Sequence, residues 1–307
     1  MRSSLRFIFL TAGAALLLGS LAAPVRADIL YVSSYGFNAI QKFPSDGAFT
    51  FPFFVSGLNH PEGLAFDSTG ILYVANADNH TIEKFSQTGT YLGVFASTGA
   101  GGLAFDRAGN LYAATGPTIQ KFTPDGVGSV FASSSGAFAL AFDSAENLYV
   151  SNPGSKTIEK FTPDGVRSVF ASFGLPVTPV GLAVDRADNL YVSDSSSVGR
   201  QIFRFTPDGV RSVFADAGGE GNDGLAFGSA GDLYFTSAYP AYIGKISPDG
   251  VSSGFFAGPV SNPQFLALTD DNGVPVPLAN QRPIPEPSTW ALLGLGLSAL
   301  LSLSRPR

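Results

Sequence analysis

A repeat of about forty residues constrains this chain more than any other feature. Six stretches align: ILYVSSYGFNAIQKF (29–43), ILYVANADNHTIEKF (71–85), NLYAATGPTIQKF (110–122), NLYVSNPGSKTIEKF (147–161), NLYVSDSSSVGRQIFRF (189–205) and DLYFTSAYPAYIGKI (232–246). Five of them follow a second shared stretch: GLAFDSTG (63–70), GLAFDRAG (102–109), ALAFDSAE (139–146), GLAVDRAD (181–188) and GLAFGSAG (224–231). The leucines of this second stretch fall at 64, 103, 140, 182 and 225, a period of 37 to 43 residues. Each unit holds four short runs of Leu, Val, Phe, Tyr and Ile, punctuated by Gly, Asp, Asn and Pro at strand-and-turn spacing. Aromatic and β-branched residues suit a pleated, half-buried surface, and Asp-x-x-Gly and Pro-Asp-Gly supply turns. No run carries a 3.6-residue apolar stripe, so helical repeats are excluded. Asp67 and Asp106 are therefore read as turn formers and not as parts of calcium loops.

Four antiparallel strands per unit make a propeller blade. The ends of the array are complementary. The first copy begins at its second strand, ILYV, with no GLAF stretch before it, whereas QFLALTDDNG (264–273) is a first strand with nothing after it. Pairing these two ends closes a ring and removes the exposed sheet edge. An open solenoid would want polar caps instead. The expected fold is therefore all-β: a six-bladed β-propeller of four-stranded antiparallel blades over residues 28–270, with the sixth blade built from 29–56 and 264–269.

The segments outside the ring point to export. Arg2 and Arg6, an apolar run from Phe7 to Leu21 and the small-residue site Val25-Arg26-Ala27 read as a signal peptide over 1–27, with a second cut available after Ala23. The chain has no cysteine, so the exported body gains nothing from disulfides and depends on packing and ladder closure. Without the arginines of the two termini, 13 basic residues face 24 acidic ones, a balance of −11 that argues against a nucleic-acid partner. Residues 271–287 form a Pro-rich linker, expected to be extended and outside any ladder. Residues 288–307 follow as an apolar stretch ending in Arg305 and Arg307. Its 14 core residues, Trp290 to Leu303, reach about 21 Å as a helix. Flanking residues and snorkelling arginines extend that to a transmembrane span with its C-terminus in the cytoplasm.

Two resemblances add to this reading. The pattern GLAFD…NLYVSN…TIEKF…DG resembles the NHL-repeat family and the related gluconolactonase-like propellers, which implies the six-bladed fold across residues 28–270. Pro285-Glu286-Pro287, the apolar run and the basic end resemble the PEP-CTERM sorting signal of exported bacterial proteins. That resemblance implies an exosortase-type processing enzyme as partner and transient anchoring by the tail. It also implies release to the cell surface or extracellular matrix, with exopolysaccharide or a surface protein as the ligand.

In a propeller, the residues ahead of each first-strand Gly-Leu position surround the channel mouth. Here they are Glu62, Gly101, Phe138, Val180, Asp223 and Gln264. Gluconolactonase-like enzymes resemble this layout and hold a divalent metal there. The candidate channel residues are accordingly His60, Glu62, Asn222, Asp223 and Gln264, with Glu62 and Asp223 as ligands should a divalent cation bind. Hard cations want six to eight oxygens, and Phe138 and Val180 supply none from their side chains. No cofactor and no catalytic residue are assigned. His60 and His80 lie in different loops, and with no cysteine a zinc site is not expected. His80 reads as an exposed turn residue. Lys42, Lys84, Lys121, Lys160, Arg204 and Lys245 recur two positions after the Ile of each third strand and read as rim charges near turn aspartates. The loops between second and third strands vary most, as binding surfaces do, and Tyr35, Phe37, Tyr239 and Tyr242 are expected to place rings there. The expected function is a monomeric, non-catalytic binding or scaffold propeller. The alternative is a metal-dependent lactonase-like hydrolase using Glu62 and Asp223.

Overall fold

The structure, a computed structural model, describes residues 28–44, 46–48, 53–196, 200–218, 221 and 224–276. The signal sequence, most of the linker, the PEP motif and the apolar tail lie outside the described residues. Among those described, 24 strands form six four-stranded antiparallel sheets. Blades one to five take their strands in sequence order, beginning at Pro61–Phe66, Leu103–Phe105, Leu140–Phe142, Pro179–Val184 and Leu225–Phe227. The sixth blade is the expected composite: Pro263–Asp270 is its innermost strand, followed by Asp28–Ser34, Ala39–Phe43 and the short Val55–Ser56.

The closing pair repeats the register of the others. Leu266, Ala267 and Leu268 face Val32, Tyr31 and Leu30, as Leu64, Ala65 and Phe66 face Val74, Tyr73 and Leu72 in the first blade. The ends of the chain thus complete one ladder as if they were consecutive.

The repeat explains how blades adhere. Four of the six tyrosines of the LYV-type runs are gripped edge-on by two phenylalanines, one at or beside their own fourth strand and one from the next blade's first strand, and Tyr149 and Tyr234 each meet the first of these alone. Tyr73 lies 5.0 Å from both Phe95 and Phe105. Tyr112 sits 5.1 Å from Phe131 and 5.0 Å from Phe142, and Tyr191 sits 4.9 Å from Phe214 and 5.0 Å from Phe227. Tyr31 spans the join between the closing blade and the first, 4.9 Å from Phe54 and from Phe66. Each such aromatic pair contributes ~0.5–1.5 kcal/mol beyond its buried area, so the recurring motif stabilises the joins and not only the blades.

One end of the ring carries the turns between first and second strands and between third and fourth. Here Asp143 accepts from the backbone N–H of Asn147 at 2.8 Å and from its side-chain amide at 2.8 Å, and Lys160 Nζ lies 3.4 Å from the same carboxylate. Asp106, Asn110 and Lys121 repeat the arrangement. Three of the six basic residues of the third strands, Lys121, Lys160 and Lys245, therefore sit beside turn aspartates. They are also tucked over tyrosines, with Lys160 Nζ 4.9 Å from the Tyr149 ring and Lys121 Nζ 5.0 Å from that of Tyr112. The side chains of Lys121, Lys160 and Lys245 are only 26–32% exposed, so they are less solvated than rim charges would be. The phenols respond. Burial, then the charge of Asp67, pushes Tyr73 up to about 12, and burial, then Asp185, does the same to Tyr191. For Lys160, burial works against the ammonium, but Tyr149 and Asp143 outweigh it and hold its pKa above the ordinary value.

The linker expectation needs correction at its start. Residues 271–276 turn back on the closing strand: Asp270 N–H donates to Val274 at 2.7 Å and Val276 N–H donates to Leu268 at 3.0 Å, with Thr269 bridged to Pro275. The donors and acceptors flank Pro275, so its missing N–H is never needed. Gly273, at φ +76, makes the turn, and Val276 packs on the core at the join of the fifth and sixth blades.

Candidate functional site

The opposite end of the ring carries the loops that differ between copies, and the channel mouth opens among them. First strands crowd the axis. A Cβ on Gly63 would lie 2.1 Å from the Gly101 carbonyl, and one on Gly102 would lie 2.7 Å from that of Phe138. This is the physical reason for Gly at the Gly-Leu position. The closing strand breaks the pattern, because its register puts Phe265 where Gly63 stands in the first blade. Phe265 meets Phe138 from the third blade, diametrically opposite in the ring, with ring centroids 5.5 Å apart. Two phenyl rings therefore cross the channel mouth. Aligning QFLAL (264–268) under EGLAF (62–66) shows the Phe-for-Gly exchange, so the sequence held the clue to this residue.

Of the predicted channel residues, His60, Glu62 and Gln264 fall among the described residues. Gln264 is buried; its Nε2 donates to Asn262 Oδ1 at 3.1 Å, and its carbonyl accepts from the Thr236 hydroxyl at 2.9 Å. His60, with φ +50, sits instead over the join of the sixth and first blades. Its Nδ1 is 2.6 Å from Asp78 Oδ2, and its ring stacks on Tyr35 with centroids 4.1 Å apart at an interplanar angle of 9°. Asn222 and Asp223 lie outside the described residues, as do Pro285, Glu286 and Pro287. Among the described members of the set, Glu62 lines a loop-face cavity of about 570 Å³, together with His80, Thr98, Thr115, Phe138 and several glycines and alanines. His80 is exposed, as its turn position implied.

Of the described mouth residues, Phe138, Phe265 and Val180 present hydrocarbon, and the Gln264 Nε2 donates to Asn262. Among the described residues no three of His, Asp or Glu gather closely enough to hold a metal ion. Of the aromatics expected on this face, Tyr239 is 75% and Phe37 42% exposed, and Tyr35 packs on His60. Tyr242 is a correction: it begins a third strand, lies buried in the core, and donates its hydroxyl to the Ala217 carbonyl at 3.0 Å.

Ring closure, repeat and channel define the class: a six-bladed β-propeller built on NHL-type repeats. The NHL repeat family matches residues 58–85, and the PEP-CTERM protein-sorting motif matches residues 283–305. The latter marks the chain for export and for processing by an exosortase-type enzyme. Among curated proteins, no relative matches the sequence. Several solved structures share the fold. A gluconolactonase from Xanthomonas campestris superposes with a TM-score of 0.60 at 19% identity, over 69% of this chain and 83% of that one. A virginiamycin B lyase from Staphylococcus aureus gives 0.59 at 16% identity, over 79% of this chain and 88% of its own. A chain of a nidogen/laminin complex gives 0.69 at 17% identity, over 78% and 98%. At these identities the likeness is one of fold, and enzymes and a protein complex share it.

Proposed function

We propose that this protein is an exported, monomeric binding propeller without a chemical step of its own, delivered through its PEP-CTERM motif to the cell surface or matrix. Its loop face carries the ligand site, for a surface protein or exopolysaccharide. The observation that carries this reading is the Phe138–Phe265 contact across the channel mouth. A lactonase-type centre needs several oxygen ligands and a reachable metal at that place. Here two phenyl rings occupy the approach, and Glu62 is the one carboxylate of the described mouth residues.

The test is metal analysis of the purified protein, followed by lactone hydrolysis with and without chelator. The expected result is no stoichiometric divalent metal and no hydrolysis above the spontaneous rate. Chelator-sensitive hydrolysis that vanishes in Glu62→Gln and Asp223→Asn would establish the lactonase reading in its place. Mass spectrometry of secreted material tests the sorting step. Trp290, the only tryptophan, should be missing from it, and its retention would mean the tail is a permanent anchor.

A further inference from the structure

The loop face carries a patch that is braced from several sides. A short 3-10 turn, Tyr35–Phe37, joins the second and third strands of the closing blade. Tyr35 N–H donates to the Asn262 carbonyl at 3.2 Å and Gly36 N–H to that of Ser261 at 3.1 Å, which ties the turn to the loop arriving from the fifth blade. On its other side, Leu58 N–H donates to the Asn38 carbonyl at 3.0 Å and His60 N–H to Asn38 Oδ1 at 2.9 Å. These bonds tie the turn to the loop entering the first blade. Ala77 N–H donates to the His60 carbonyl at 3.0 Å, so the first blade's second-to-third-strand loop joins the frame.

This frame holds rings and polar atoms together at the surface. His60 stacks on Tyr35, and Phe37, itself exposed, lies 5.6 Å from Phe53 between ring centroids. His60 Nδ1 meets Asp78 Oδ2 at 2.6 Å. A carboxylate only accepts, so Nδ1 carries the proton and Nε2 keeps its own hydrogen-bonding capacity. Among the described residues, His60 Nε2, the second Asp78 oxygen, the Tyr35 hydroxyl and the Asn59 side-chain amide have no hydrogen-bond partner.

Ring faces beside unspent donors and acceptors select a particular kind of ligand. A pyranose with equatorial hydroxyls offers the complement: a flat face of axial C–H groups for a ring, and an edge of hydroxyls that both donate and accept. Asp78 is the one carboxylate of residues 34–38, 57–60 and 77–80, which include no Lys or Arg. With the acidic balance of the exported body, it works against an acidic sugar. Exposed aliphatic anchors for a protein partner lie elsewhere: Leu58 is buried, and the exposed Leu175 belongs to the loop entering the fourth blade.

We propose that the patch over the join of the sixth and first blades, formed by Tyr35, Phe37, Asn59, His60 and Asp78, binds a neutral glycan of pyranoses with equatorial hydroxyls. This rests on the reading of the loop face as a binding face and names the ligand class it takes.

The full-length chain in a polyoxyethylene detergent, which carries no sugar, is titrated with cellohexaose, chitohexaose and the acidic β-1,4-glucuronate hexamer. The chain has two histidines, so the His60 ring resonance reports the patch and that of His80 is the internal control. At least one neutral probe should shift His60 and leave His80 in place, and the glucuronate hexamer should bind at least roughly tenfold more weakly. Phe37→Ala should weaken the neutral probe by a similar factor. Asp78→Asn keeps an acceptor for Nδ1 and removes the charge, so it should narrow the gap between neutral and acidic probes. Circular dichroism checks that both variants fold. No His60 shift with either neutral probe, equal binding of the glucuronate hexamer, or unchanged affinity in Phe37→Ala would each overturn the assignment. Lactone turnover would instead overturn the non-catalytic reading, so the two failures are distinguishable.

Discussion

The two ends of the propeller are built by opposite rules. On the turn end the same cluster recurs from blade to blade, an aspartate capping its turn with a lysine and a tyrosine against it, as at Asp106 and Asp143. Polar ties also pass between neighbouring blades there: Arg107 to Glu146, Ser144 to Asp188, Arg186 to Ser229, and Ser229 to Asp28. On the loop end the shared part is a Ser or Thr hydroxyl that accepts from the first strand, as at Ser151, Ser193, Thr236 and Ser33, and the loops beyond it differ. His60 stacks on Tyr35, the second blade lacks most of a loop, and Phe265 replaces a glycine. The turn end ties neighbouring blades by a repeated cluster, whereas the loop end joins the two chain ends through single bonds such as Tyr35 N–H to the Asn262 carbonyl and Gln41 to the Pro259 carbonyl, and its loops vary as they do where a rigid scaffold carries recognition loops.

Substitutions should follow that division in size. The largest effect is expected from Leu268→Asp, which places an unpaired charge in the core of the closing blade; a loss of more than about 4 kcal/mol should leave no cooperative thermal transition. A cooperative melt near the parental one would mean that closure is not what stabilises the ring. Next, Asp143→Ala removes the acceptor for several N–H groups and for Lys160, and should cost ~2–3 kcal/mol in denaturant unfolding. Phe138→Ala, on the loop end, should cost less, about 1–2 kcal/mol for a partly buried ring. Should it exceed Asp143→Ala, the contrast between the ends fails. Tyr239→Ser, 75% exposed, should stay within about 0.5 kcal/mol.

Alkaline pH sharpens the same comparison. Tyr73 and Tyr191 have pKa values raised from 10.0 to about 12 in the folded ring, by burial first and by Asp67 and Asp185 second. Above pH 10 the unfolded chain releases these protons before the folded one does. Their stabilising contribution is therefore complete below pH 10 and is lost as pH climbs to about 12. Tyr73→Phe should flatten the stability profile in that window, and tyrosinate absorbance should show one fewer late-titrating phenol. An unchanged profile would mean that the turn-end phenols are not held back by folding.

The sequence spoke clearly wherever a residue was repeated. Blade number, strand limits and the composite sixth blade follow from complementary defects at the two ends of the array, because a ladder must be completed by something. The turn aspartates and their lysines were legible for the same reason. Single departures were harder to read. Phe265 matters because it occupies a position that is Gly or Ala in the other five blades, and that appears only when the closing strand is aligned with the others. Tyr242 looked like a loop residue in SAYPAY, but strand pairing with Ser237 starts at that tyrosine and turns its ring inward.

The doubled-back residues 271–276 carry a mechanical consequence. The peptide departs from the ring beside the very strand that seals it, with Gly273 against Gly70 and Gln87 of the first blade and Val276 wedged by the fifth. Tension on a moored tail would load this short hairpin before it reached the seam between first and last strands, so the hairpin acts as a strain relief.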